Sequence, residues 1–150
     1  MKYQVKIETI REAVIAEVSK LAASAYSDDG SSQYDGAMIY SSDVAHVDES
    51  IRDGLKSVIV RMPDIATVTG ADEGYDGALQ FNVPDLATEN EPWITRELDR
   101  YLTMYTVASW LQDRLTEKAP IYTTSAVAHI DNATMMLKTR KTPTVTINGD

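Results

Sequence analysis

Apolar residues recur at helical spacing in four stretches of this chain and alternate with polar ones in shorter runs. The longest helical pattern passes through Ile94, Leu98, Tyr101, Tyr105, Ala108, Leu111 and Leu115. Steps of three and four place these side chains on one helical face. Pro92 suits a first turn, where its missing N–H has no partner to lose, and Thr88 or Asn90 can cap. Pro120 reads as the stop. The predicted helix therefore covers 92–118, about 40 Å at 1.5 Å per residue.

Three further stripes predict three further helices. Ile10, Val14, Val18, Leu21 and Ala25 give a helix over 10–26, opened by the capping-box pair Thr9 and Glu12. Val44, Val47, Ile51, Leu55, Val58 and Met62 give one over 44–61, capped by Ser42 or Asp43 and closed by Pro63. Gly54 inside it costs about 1 kcal/mol relative to alanine. Ala126, Ile130, Ala133 and Leu137 give the last, over 125–140, with Pro143 beyond it. Between the second and third helices, the β-branched run 65–69 and the alternation of Leu79, Phe81 and Val83 predict a hairpin over 65–69 and 78–83. Tyr3-Val5-Ile7 reads as a short strand or an extended arm, and Thr144–Ile147 as one more short strand or a mobile tail. The sum is a single α+β domain, mainly helical, spanning residues 1–150.

Composition adds limits. A 150-residue chain that is 43% hydrophobic can bury a sizeable core. There is no apolar run of membrane-spanning length and no charged-then-apolar leader at Met1-Lys2-Tyr3-Gln4, so a cytoplasmic or particle-associated protein without membrane contact is expected. Without cysteine, disulfides, thiolate metal sites and thiol nucleophiles are excluded. The net charge of −9 is concentrated in residues 28–90, where thirteen acids face Arg52, Lys56 and Arg61, a balance of −10. Clustered phosphate contacts need the opposite sign, so sequence-specific nucleic-acid binding is not expected.

Candidate chemistry is sparse. His46 and His129 are the only histidines, and neither has a second ligand at metal-site spacing. The acidic loops Asp28-Asp29-Gly30 and Asp72–Gly77 lack the alternating order of an EF-hand and read as solvated turns. No nucleophile elbow or phosphate-binding glycine loop occurs. The sequence thus predicts no catalytic residue, no cofactor site, no metal site and no enzyme. Trp110 is more informative: it lies about 160° from the centre of the main stripe, with Val107 one turn before it and Trp93, Leu102 and Met104 widening the apolar arc. A helix apolar over so much of its circumference needs more than one partner, either the fourth helix folded back or another chain. The second reading makes Val107 and Trp110 interface residues. Lys138, Arg140 and Lys141, which suit the negative end of the last helix, join them as candidates.

The second half resembles small head-completion or head–tail connector (neck) proteins of tailed bacteriophages. The likeness rests on Tyr101-Leu102-x-x-Tyr105, Ser109-Trp110-Leu111, Ile121-Tyr122 and the closing Leu137-Lys138-Thr139-Arg140-Lys141-Thr142-Pro143, with Leu79-Gln80-Phe81-Asn82-Val83-Pro84 before the long helix. It covers about residues 78–143 and is a pattern rather than a signature motif. The resemblance implies a non-catalytic structural subunit of a ring between portal and tail, partnered by its own copies and other virion proteins. An acidic middle suits a conduit that should not grip DNA. The competing expectation is a bacterial protein-interaction or regulatory module without catalysis.

Overall fold

A computed structural model describes residues 1–23, 35–69 and 78–139. The architecture is four helices and a small three-stranded antiparallel sheet, mainly helical α+β. Strand β1 (Lys2–Gln4) leads into α1 (Ile7–Ala23); α2 (Val44–Arg61) follows two short 3₁₀ turns at Asp35–Ala37 and Ser41–Asp43. Strands β2 (Ala66–Thr69) and β3 (Ala78–Phe81) come next. A third 3₁₀ turn at Thr88–Asn90 precedes α3 (Glu91–Gln112), and α4 (Ala119–Lys138) closes the described chain.

Helix α3 is the axis of the molecule, because it packs against α1, α2 and α4. Its predicted stripe supplies Ile94, Leu98, Tyr101 and Leu111 to the core. A second buried face adds Leu102, Thr103, Thr106, Val107 and Trp110. The helix is therefore buried on most of its circumference, as its wide apolar arc requires.

Two boundaries differ from expectation for local reasons. At 22 residues α3 is about 33 Å long, and it ends at Gln112 rather than Lys118. Tight turns follow, in which Arg114 N and Leu115 N donate to Leu111 O at 3.0 and 2.7 Å, and Lys118 N to Leu115 O at 2.9 Å. Pro120 then opens α4 instead of stopping α3, since a proline in a first turn forfeits no intrahelical bond. Starting α4 at Ala119 lets Ala119, Ala126, Ile130, Ala133 and Leu137 cover α3 in an antiparallel hairpin. At the other end of the chain, α1 begins at Ile7, before the Thr9–Glu12 pair. Ile10 N closes the first turn on Lys6 O at 3.1 Å, and Ile7 enters the core.

Strand β3 lies at the centre of the sheet, in the order β1-β3-β2, with Tyr3 opposite Leu79 and Ala66 opposite Phe81. The hairpin is shorter than predicted, 66–69 with 78–81. Its buried side chains Tyr3, Ala66, Leu79 and Phe81 join the helices in one core. The N-terminal strand is thus part of the sheet. The proposed strand at Thr144–Ile147 and both acidic loops lie outside the described residues. Among the described residues, no helix is long and apolar enough to cross a membrane.

Candidate interaction surface

Trp110, expected as a surface anchor, is only 3% exposed. Its indole Nε1 donates to Ala37 O at 2.6 Å, its ring centroid lies 5.9 Å from that of His46, and the Arg114 guanidinium stacks 3.4 Å over it. The first 3₁₀ turn and the start of α2 therefore cover this face, rather than α4 or another chain. Val107 is completely buried. The assignment of Val107 and Trp110 to an interface is corrected accordingly: both are core residues of the subunit, because α3 sits between three helices. Lys138 is exposed in the last turn of α4. Arg140 and Lys141 lie outside the described residues.

Polar side chains inside the fold hold elements to one another. Tyr3 Oη donates to Asp99 Oδ1 at 2.6 Å, tying β1 to α3. Burial, then the Asp99 charge and that hydrogen bond, push the Tyr3 phenol far above its ordinary range. Burial likewise raises the Asp99 carboxyl, against the lowering effects of Tyr3 and Lys6. Arg11 clamps Asp48 with two bonds of 2.7 Å, joining α1 to α2. His129 Nδ1 meets Glu97 Oε2 at 2.6 Å, joining α4 to α3. Both histidines therefore serve packing, His46 against Trp110 and His129 against Glu97. Among the described residues, no group of three or more histidines and acids is placed to hold a metal ion.

Several large apolar side chains lie exposed on the helices. Trp93 at the start of α3 and Met135 near the end of α4 are 58% and 69% exposed, and they flank a shallow depression with Glu97, Asn132 and Met136. At the opposite end of the α3–α4 hairpin, an open groove of about 630 Å³ lies between α3, α4 and the C-terminus of α2. Buried Tyr101, Ala119 and Ala126 are among its lining residues, together with Tyr105, Ala108, Ser109 and Val127, and among the described residues Arg61 is the one charged residue that lines it. Tyr105 has its phenol raised by burial, then by Tyr101 and Asp53, while Arg61 opposes. Val60 and Ile121 are exposed on α2 and α4.

Sequence reasoning counted Trp93 only as a widening of the arc. Its signal was position: directly after Pro92 it lies in the first turn, where fewer neighbouring elements reach. The groove had a fainter signal, the small residues Ala108, Ser109 and Ala126 facing one another across two helices. No family model matches this chain, and no curated protein or solved structure matches it either.

Proposed function

We propose that this chain is a structural subunit of a tailed-bacteriophage or prophage particle, a head–tail connector or neck component that works through protein–protein contacts in a ring of its own copies. The observation that carries the reading is the exposed apolar set on the α3–α4 hairpin, Trp93, Ile121 and Met135, held on rigid helices. Large apolar side chains that a subunit leaves uncovered on regular structure are the usual material of protein interfaces. The phage assignment rests on the residue pattern from Leu79 to Leu137 and its continuation to Pro143. In this role the chain performs no catalysis, needs no cofactor, and lives in the host cytoplasm or within the virion.

Electron microscopy of the purified protein at high concentration, with or without the product of any portal gene found beside its own, tests the reading. Closed rings of uniform subunit number are the expected outcome, together with portal, capsid and tail genes beside this one. A protein that forms no ring under either condition, from a locus without such genes, would overturn it.

A further inference from the structure

The two ends of the α3–α4 hairpin carry complementary features. One end projects an indole, Trp93, with Met135 beside it. The other end is hollow, because Ala108 and Ser109 on α3 and Ala126 on α4 are too small to fill the space between the helices, leaving the groove of about 630 Å³. Sixteen residues separate Trp93 from Ser109, about 24 Å along the helix, so a copy cannot seat its own tryptophan in its own groove.

We infer that Trp93 of one copy inserts into the groove of the next, making a head-to-tail contact between copies of this chain. Charge favours a second copy as the occupant. Among the described residues, Arg61 is the only charged one lining the groove, and Glu97 is the only one lining the depression beside Trp93. Glu97 lies one turn beyond Trp93 and already meets His129 Nδ1 at 2.6 Å, so seating the indole brings this largely buried pair, rather than a free carboxylate, toward the neighbour's Arg61. The same movement sets a guanidinium against an indole, an arrangement this chain already uses where Arg114 covers Trp110 at 3.4 Å. A covered tryptophan removes about 150–250 Å² from water and is the commonest kind of interface anchor. Because knob and groove are different surfaces, the contact is heterologous and leaves one of each free for further copies. Such contacts close into rings or run on as filaments. The inference deepens the ring reading above and rests on it for closure alone.

Two full-length variants test it. Trp93→Ala removes the knob and keeps the groove; Ser109→Trp fills the groove and keeps the knob. Both positions are exposed, so circular dichroism should match the parent, and Arg61→Glu serves as a second groove variant should Ser109→Trp disturb the helices. In sedimentation velocity up to millimolar protein, the parent is expected to self-associate and each variant alone to do so at least about tenfold more weakly. An equimolar mixture of the two variants should form dimers and nothing larger, since only one knob and one groove remain between them. Trp110 is buried, so acrylamide quenching reports mainly Trp93 and should fall as the parent associates. A monomeric parent, a mixture that forms no dimer, or loss of association with Trp93→Ala but not with either groove variant would overturn the contact; the last pattern would indicate a symmetric Trp93–Trp93 pair. Rings that persist in Trp93→Ala would remove the contact and leave the ring reading standing. Knob-dependent chains that never close, from a locus without phage genes, would do the reverse.

Discussion

Truncating Trp110 to alanine separates core from interface on the residue that the sequence left most open. The indole is 3% exposed and bonds Ala37 O at 2.6 Å through Nε1. Removing a buried aromatic ring costs about 3–5 kcal/mol. The Ala37 carbonyl would also lose its donor, a penalty of about 1–3 kcal/mol wherever water cannot replace it. Arg114 would lose the surface it stacks on, a contact worth about 0.5–1 kcal/mol near solvent. These terms overlap, since one collapse of the site relieves several of them, and the expected total is about 4–6 kcal/mol. For a domain of this size each kcal/mol moves the melting temperature by about 2–4 °C, which places the loss at about 10–20 °C.

Thermal and urea unfolding of Trp110→Ala, followed by far-ultraviolet circular dichroism, measures this directly. Trp110→Phe apportions it, because phenylalanine keeps most of the ring but not the N–H and should cost about 1–3 kcal/mol. The reasoning is refuted if Trp110→Ala melts within about 3 °C of the parent while its association state changes. That pattern would mean that the indole is a surface anchor after all and that the 3₁₀ turn at Asp35–Ala37 does not cover it.

Two further predictions concern the same helix. Gly54 sits where α2 crosses α3, and a Cβ there would lie 2.9 Å from Tyr105 Cδ1 and 3.1 Å from Leu102 Cδ2. Gly54→Ala should therefore destabilise by about 1 kcal/mol in urea titration, overpacking of about 1–3 kcal/mol outweighing the helix-propensity gain of about 1 kcal/mol; a stabilised variant would show that the crossing is loose. Asp99 has its carboxyl raised by burial, so the folded state holds its proton more firmly than the unfolded chain, and stability falls as pH rises above the ordinary carboxylate range. Asp99→Asn keeps an oxygen for the Tyr3 hydroxyl and removes the charge. Its melting temperature should gain on the parent's between about pH 4 and pH 7, and a constant difference across that range would exclude the mechanism.

Most of the helical framework was legible because its signal is local and repeated. The α2 stripe from Val44 to Met62, closed by Pro63, recovers both ends of that helix, and Ile94, Leu98, Tyr101 and Leu111 recover the inner face of α3. Proline was ambiguous. The same ring that cannot continue a helix is welcome at the start of one, so Pro120 was read as the end of α3 when it belongs to the first turn of α4. Gly54 was read as a propensity cost, which it is. The compensating close approach of Tyr105 depends on a neighbour 51 positions away and has no local signature. The partners of the two histidines also lie far off in sequence, 32 positions for Glu97 and His129 and 64 for His46 and Trp110, and only the packed helices bring each pair together.

The two tryptophans of α3 show where a periodicity argument stops. Seventeen residues apart at 100° per residue, Trp93 and Trp110 differ by about 100° around the helix, and a helical wheel puts Trp110 far from the main stripe but Trp93 at its edge, in line with Leu111. One is nevertheless core and the other exposed. Height along the axis decides between them. Trp110 stands level with the start of α2 and the 3₁₀ turn that supplies Ala37, so its N–H finds a carbonyl and its faces find His46 and Arg114. Trp93 stands in the first turn, where Asn132, Met135 and Met136 toward the end of α4 border a shallow depression beside it. The hydrophobic period fixes angle, and tertiary connections fix which levels of a helix are covered. On α3, Trp93 is an apolar residue at such an uncovered level, and it is 58% exposed.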